Sequence, residues 1–488
     1  MLEVVVFGCG AAVMILELVG ARILAPFLGT SMVVWSGLIG VVLASLAVGY
    51  WQGGRLADRR PSAKVLSGCI ALAAALVGAT AATKIPLLEF LASHAPGPRL
   101  AVLAAVLVLF APAAALLGMV APFAVRLSVR DAATSGTTAG RLYALSTIGS
   151  IVGTFAAGFF LIAAFGTTTV LLVVAVFLLG LSLLASRAAT KGKIAAGAAI
   201  FLSGLAVQAT DLSLAAAGVD DVDTAYGRVL VYAGADAQTG RPVRIMTTGP
   251  RRCQSAVYLD APQELALPYT RFFALGFSMV SAPQRVLVLG GGGYSFARHA
   301  VEALPGAAVT VVELDPGITA LARKHFGLTD HPRLSIVHED ARAFVNRPGE
   351  PYDLIYVDVF GTDYLPPFHL VTREAAARLA ALLRPDGAVI VNTIAAPQGA
   401  GERFMRSLAA TFASVFPEVA VYPLAGAATP DAEQNVMLTA RLRPGPEPTP
   451  TDAETRDFLA ARRDAPAGTD ALVLTDEYAP VEWLGLGL

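Results

Sequence analysis

Four acidic positions, each at or just past the end of an apolar run, carry most of the chemistry open to this sequence. Val286-Leu-Val-Leu leads into Gly290, Gly291, Gly292 and Gly293, then Tyr294 and Ser295. Glycines between a strand and a helix let backbone approach a ligand at the helix N-terminus, which makes Gly290, Gly291 and Gly292 candidate cofactor contacts. Val311-Val-Glu313-Leu-Asp315 ends the next apolar run, and an acid there can hold both hydroxyls of a ribose. Glu339-Asp340-Ala341-Arg342 ends the third, where a side chain reaches an adenine edge. Tyr352-Asp353-Leu-Ile-Tyr-Val-Asp358 ends the fourth. A carboxylate at that place faces the reacting centre and can take a proton from a nucleophile. Asp363 follows in a Gly/Pro-bounded loop, Gly361-Thr-Asp-Tyr-Leu-Pro-Pro. Two carboxylates on one loop suit a cationic amine substrate.

For these residues to meet, each must stand at the carboxyl end of a strand in one sheet. The pattern provides for it. Arg285–Leu289, Val309–Glu313, Leu334–His338, Leu354–Val359 and Ala388–Asn392 read as strands, and Phe296–Leu304, Ile318–Phe326 and Ala375–Leu383 as helices among them. Such alternation predicts a doubly wound parallel sheet whose strand ends share one crevice, here one suited to an adenosyl cofactor. Residues 222–280 read as short strands and turns, then a helix from Leu267. The expected fold is a multi-pass α-helical membrane domain over 1–213, a small β-rich subdomain over 214–282, and a Rossmann-like α/β domain of the S-adenosylmethionine-dependent transferase type over 283–488.

The membrane assignment rests on composition. Of 488 residues, 55% are hydrophobic and 15% charged, with mean hydropathy +0.62, whereas soluble domains carry about 25% charge. Apolar stretches long enough to span lipid fall at 3–24, 31–53, 65–83, 100–120, 142–164, 168–186 and 194–210. Ser146, Gly149, Gly153 and Ala157 recur at a spacing that lets helices approach closely. Glu17 and Arg22 lie within the first span, where ionisable residues are costly and default to function. That span lacks the basic flank and cleavage site of a removable signal peptide.

Arg55, Arg59, Arg60 and Lys64 follow the second span; Arg126, Arg130 and Arg141 separate the fourth and fifth; Arg187, Lys191 and Lys193 separate the sixth and seventh. The alternate loops offer only Lys84 and Arg99, with Arg22 near a helix end. Such loops put the N-terminus in the cytoplasm, and the soluble domain outside it if the seventh span crosses. Supply of an adenosyl cofactor argues for the cytoplasm. Residues 1–213 hold 13 Lys+Arg and 6 Asp+Glu, which leaves 23 and 31 for residues 214–488. An acidic soluble half repels anionic polymers, so no nucleic acid partner is expected. Cys9, Cys69 and Cys253 form neither a disulfide framework nor a metal spacing, and no metal is expected.

These motifs carry a resemblance. Residues 222–485 resemble the spermidine synthase family of aminopropyltransferases, in its membrane-fused bacterial branch. The matching segments are Arg251-Arg-Cys-Gln254-Ser, Leu267-Pro-Tyr269-Thr-Arg, Val286–Gly293, Val312-Glu-Leu-Asp-Pro, Glu339-Asp-Ala-Arg and Val357-Asp-Val-Phe-Gly-Thr-Asp. Residues 1–210 are similar to that branch's membrane module at Glu17 through Arg22, Gly53–Arg59 and Gly140–Gly149. The resemblance implies an enzyme of the bacterial cell membrane that moves an aminopropyl group from decarboxylated S-adenosylmethionine to a small amine such as a diamine. Its only other expected partners are the lipid bilayer and a second copy in a homodimer. Glu313 would hold the ribose and Asp340 the adenine amine, with Ala341 beside it. Asp358 would deprotonate the acceptor, Gln254 would contact the donor chain, and Tyr269 would line the acceptor tunnel. The acidic cluster Asp476, Glu477 and Glu482, after the Pro/Thr-rich stretch Pro444–Thr451, would fold back toward the acceptor.

The sequence departs from the soluble members at three places. Their glycine run holds an Asp that grips the donor's ammonium, where this chain has Gly293. The Asp-Ser-Ser-Asp-Pro loop is Asp358-Val-Phe-Gly-Thr-Asp363 here, and the His-Glu after the tunnel Tyr is Thr270-Arg271. Methyl transfer from S-adenosylmethionine to a small or lipid-linked substrate fits the same crevice. A transporter or conduit with a nucleotide-sensing domain is the third reading.

Overall fold

The computed structural model describes the chain apart from residues 189, 250–252, 361–364, 399–401, 426–431, 465–470 and 487–488. It divides into two compact units, Met1–Val229 and Leu230–Leu488.

The first unit is a helical bundle. It comprises α1 (Leu2–Leu28), α2 (Met32–Arg59), α3 (Ala63–His94), α4 (Pro98–Leu109), α5 (Ala111–Gly118), α6 (Val120–Ser128), α7 (Ser135–Ala156), α8 (Ile162–Ala164), α9 (Thr167–Ala185) and α10 (Lys191–Ala216). A short strand, β1 (Asp220–Asp223), follows. Among the described residues, seven helices are long and apolar enough to cross a membrane. A helix satisfies its own backbone, which lipid cannot do. Six of the expected spans overlie these helices; the fourth is displaced. Residues 100–120 do not form one helix: the chain breaks at Phe110 and Met119, and the fourth spanning helix is Ala111–Ser128. Pro112 and Pro122 lie just past the two breaks, and each removes a backbone donor and crowds the preceding turn.

α1 and α7 run in backbone contact. A Cβ at Gly149 would collide with the Phe7 carbonyl, one at Gly153 with that of Ala11, and one at Gly10 with that of Ser146. The Ser150 hydroxyl donates to the Gly10 carbonyl at 3.2 Å. The small-residue stripe is therefore a helix-packing seam. A π-helical turn, Ala157–Leu161, joins α7 to α8.

Ion pairs and hydrogen bonds sort the helix ends into two faces. At one, Arg141 pairs with Glu3 at 2.9 Å and Arg126 with Asp58 at 3.4 Å, which gathers the α1 start, the α2 end, the α6 end and the α7 start. At the other, Arg22 donates to the Thr224 carbonyl at 2.8 Å and Lys84 Nζ to Thr167 Oγ1 at 2.6 Å. The Thr167 amide donates to Asp223 at 2.8 Å, and Arg228 grips Asp221 through two hydrogen bonds. The segment after α10 thus lies with the α1 end, the α3 end and the α9 start. Glu17 is half-buried on α1 and has no hydrogen bond or ion pair among the described residues.

In the second unit, β2 (Arg228–Ala235), β3 (Pro242–Thr247) and β4 (Ser255–Tyr258) pair antiparallel in sequence order. α11 (Pro268–Leu275) leads to an eight-stranded sheet. Its parallel strands alternate with helices: β5 (Arg285–Leu289), α12 (Ser295–Ala303), β6 (Ala308–Glu313), α13 (Pro316–His325), β7 (Leu334–His338), α14 (Ala341–Asn346), β8 (Tyr352–Val357), α15 (Arg373–Ala381) and β9 (Leu383–Ala395). Then come α16 (Glu402–Ala413), β10 (Glu418–Pro423), β11 (Gln434–Arg441), α17 (Ala453–Ala460), β12 (Arg463–Asp464) and α18 (Val481–Leu486). The order is β12-β10-β11-β9-β8-β5-β6-β7. The sheet is mixed rather than all parallel, because β11 runs antiparallel to both β9 and β10. The link from Pro423 to Gln434 is too short for the dozen or so residues that a parallel crossover needs.

Both faces of the sheet are covered, which explains strands such as Val286-Leu-Val-Leu that are apolar throughout. One face packs Leu287, Ile355 and Val391 against Leu379, Phe404 and Leu408. On the other, the Tyr356 ring meets Phe296 and Phe273, with centroids 4.6 and 5.0 Å away.

Candidate active site

The chain leaves β5 for β6 on one side and later returns to β8 on the other, so β5 and β8 flank the point where the strand order reverses. Open α/β sheets bind ligands outside the strand carboxyl ends at that point. Here the two strand ends are in backbone contact. The Asp358 amide donates to the Leu289 carbonyl at 2.8 Å. Gly290 has φ +96° and faces the Asp358 carbonyl so closely that a Cβ would collide with it. Only glycine fits.

The glycine loop is held by Glu313. One carboxylate oxygen accepts from the Gly291 amide at 2.8 Å and the Gly292 amide at 3.4 Å; the other accepts from the Asp315 amide at 2.9 Å. Burial raises the Glu313 pKa, and these backbone donors oppose the rise. The Gly293 amide donates to Ser255 Oγ at 2.8 Å. Tyr294, next in line, is buried and left-handed at φ 57°, a conformation costing a non-glycine roughly 1–2 kcal/mol. Its hydroxyl and that of Thr319 lie 2.7 Å apart, and Thr319 reaches His338 Nε2 at 2.9 Å.

Asp358 shares a pocket with Tyr269, Gly290, Gly291, Tyr294 and Ser255. It keeps some surface toward that pocket but is otherwise enclosed, and burial pushes its pKa up to about 6. Hydrogen bonds from Asn392 and Tyr269 oppose the rise and the Glu313 charge adds to it. Asn392 Nδ2 donates to Asp358 Oδ1 at 2.9 Å. The Tyr269 hydroxyl also lies 3.4 Å from the Gln254 carbonyl oxygen, and its one proton serves one acceptor at a time. Burial, then the Asp358 charge, holds the Tyr269 pKa well above its usual value. The Gln254 side-chain oxygen is buried without a partner among the described residues. Such an oxygen is costly until something donates to it.

The remaining candidates are placed as follows. Asp340 caps α14, accepting from the Ala343 amide at 2.9 Å, and its other oxygen is 3.8 Å from His369 Nε2; Ala341 is buried behind it. Asp476 is fastened to the fold by Arg342 at 2.6 Å and Thr372 at 2.7 Å. Glu477 is exposed, and Glu482 lies on α18. Asp363 lies outside the described residues. Arg271 forms an ion pair with Glu454 at 2.6 Å and donates to the carbonyls of Leu265 and Ala266. Three residues of the site carry no sequence signal of their own: Ser255, Asn392 and Asn435. Ser255 is adjacent to Gln254, and the two asparagines become visible only once β8, β9 and β11 are set side by side.

Residues 272–441 match the spermine/spermidine synthase domain. The polyamine aminopropyltransferase of Vibrio vulnificus is 31% identical over 172 residues, covering 34% of this chain and 55% of that protein. Polyamine aminopropyltransferase 1 of Streptomyces coelicolor is 26% identical over 421 residues, covering 80% of this chain and 75% of that protein. A solved structure, a probable spermidine synthase from Corynebacterium glutamicum, is 24% identical with a TM-score of 0.43, covering 51% of this chain and 93% of that one. The chain spans about half the length of the first curated relative that it matches. The strand order and the glycine loop define a Rossmann-like α/β domain. Over residues 272–441 the chain is similar to the spermine/spermidine synthase domain.

The Asp358 shift has a consequence for stability. Its pKa of about 6 in the fold exceeds the ordinary 3.8. A raised acid contributes stability that is fully present below the ordinary value and lost as pH rises through the folded one. Asp358→Asn removes that loss. The stability of Asp358→Asn relative to wild type should therefore grow, on going from acid to neutral pH, by on the order of 2–3 kcal/mol. Unfolding of the purified protein in detergent across pH measures it; a difference independent of pH contradicts the assignment.

Proposed function

We propose that this protein transfers an aminopropyl group from decarboxylated S-adenosylmethionine to a small amine. The observation that carries the reading is Asp358, a carboxylate at the switch point whose pKa burial pushes up to about 6, beside Tyr269 and the Glu313-held glycine loop. A general base works best when its pKa lies near the working pH. In this reading Glu313 accepts from the ribose hydroxyls, Asp340 from the adenine amine, and the unpartnered Gln254 oxygen from the donor's ammonium. Asp358 takes the proton of the acceptor. The amine nitrogen attacks the methylene carbon beside the sulfonium, the C–N bond forms, the C–S bond breaks, and its electron pair leaves with methylthioadenosine. Alignment of nitrogen, carbon and sulfur supplies much of the rate. Arg271, engaged by Glu454, does not oppose a cationic acceptor.

Methyl transfer is the second reading. Gly293 favours it, because it stands where the soluble members' Asp would grip the donor's ammonium. Full-length protein incubated with each donor and a panel of amines separates the two by mass spectrometry: methylthioadenosine marks the first, adenosylhomocysteine the second. Asp358→Asn should lower turnover about 10²–10⁴-fold with nucleotide affinity nearly intact. Turnover at the wild-type rate removes Asp358 from the base role.

We further propose that the protein is a multi-pass protein of the bacterial cell membrane with its transferase domain outside the cytoplasm. Support comes from α10, which is long and apolar enough to cross and whose following segment joins the face opposite the basic loops. Short basic loops stay cytoplasmic. The donor would then have to cross, and Glu17 is an intramembrane acid free to meet a cation. Cysteine placed at exposed Ala237 should react with an impermeant maleimide in intact cells, and cysteine at exposed Ala133 only after permeabilisation. The reverse pattern puts the domain in the cytoplasm.

A further inference from the structure

Three polar residues line up across adjacent strands at one end of an otherwise apolar sheet. Val357 and Val391 are register partners on β8 and β9, so Asp358 and Asn392 stand side by side. Asn392 pairs with Met437 on β11, which places Asn435 two residues away on the same face. Asn392 Nδ2 donates to Asp358 Oδ1 at 2.9 Å, and Asn435 Nδ2 donates to Asn392 Oδ1 at 3.0 Å. Asn392 is 1% exposed and follows Val389, Ile390 and Val391, all buried. Asparagine is depleted in strands, and a buried amide is costly unless both its ends are satisfied. Here both are.

The chain of donors also has a direction. An amide can flip, and its flip decides whether it offers a neighbour an N–H or a lone pair. Asn435, by donating to the Asn392 oxygen, forces the Asn392 N–H group toward Asp358. A fixed donor on Oδ1 favours the charged carboxylate. We infer that Asn392, locked by Asn435, is the positioning residue that fixes the rotamer and charge of Asp358. The inference rests on the base role given to Asp358 above. The titratable groups facing Asp358 among the described residues are Tyr269 from α11 and Glu313 from β6. Neither supplies a positive charge, so the amide is the stabilising neighbour on the sheet side.

The test uses full-length protein and two variants. Asn392→Leu removes the donor while keeping approximate volume. Asn435→Ala leaves Asn392 in place and frees its flip, and serves if the first variant fails to fold. The pH dependence of kcat/KM should show its acid limb moved upward by about one to two pH units in Asn392→Leu. Asn435→Ala should give a smaller shift of the same sign. Methylthioadenosine affinity at alkaline pH should stay nearly unchanged in both. A merely structural loss would lower the whole profile without moving the limb, and an unmoved limb in both folded variants overturns the inference. If the wild type turns over neither donor, the aminopropyl reading fails on its own. The protonated-carboxyl infrared band assigned by Asp358→Asn then decides. A midpoint shifted upward in Asn392→Leu upholds the positioning role, and an unshifted midpoint removes it.

Discussion

Two carboxylates at the ends of β6 and β8, the strands on either side of β5, are held by neutral donors. Glu313 is held by three backbone amides and Asp358 by a side-chain amide, and neither forms an ion pair with a described residue. Everything else at the site follows from that arrangement. A guanidinium partner would have neutralised each charge and kept its pKa low. Amide donors instead satisfy the oxygens and leave the crevice with negative potential. Such a crevice favours cationic groups such as a sulfonium or an ammonium. It also makes burial the dominant influence on both groups, which pushes the Asp358 pKa up to about 6. The close backbone approach at Gly290 is the mechanical counterpart: it brings the β5 and β8 ends together so that the loop and Asp358 share one pocket.

The parts of the site visible in the sequence are those whose positions are dictated locally. A glycine run after an apolar strand, an acid at the end of the next strand, and an acid at the end of the fourth are fixed by strand ends, and strand ends are marked by short-range pattern. The strand Leu334–His338 was readable to the residue for the same reason. What local pattern could not disclose depends on which strands are neighbours. Asn392 reads as an unremarkable strand residue until β9 is laid beside β8, and Asn435 until β11 is laid beside β9. The antiparallel strands β10 and β11 break the alternation from which a wholly parallel sheet was expected. The bond from Arg342 to Asp476 was not legible either, because the two are 134 residues apart in sequence.

In the helical unit, composition located six of the seven long apolar helices, since about 20 apolar residues in sequence have few other uses. Two things required coordinates. Pro112 stands just past the break at Phe110 in what hydropathy reads as one span, because hydropathy does not register a missing backbone donor. The side on which the chain emerges depends on whether the last, Ala/Gly-rich helix crosses. Ion pairs within the bundle sort its ends into a basic face and a face where Arg22, Lys84 and Thr167 meet the segment after α10.

The central claim, that an adenosyl group sits in the crevice organised by Glu313, is tested most directly by calorimetric titration with methylthioadenosine. The thioether shares the ribose and adenine without the reactive charge. Removing Glu313 removes charge-assisted bonds each contributing about 1.5–3 kcal/mol. The account therefore predicts roughly a 10–150-fold loss of affinity in Glu313→Ala with its circular dichroism unchanged. Equal affinity in wild type and a folded Glu313→Ala protein would contradict it.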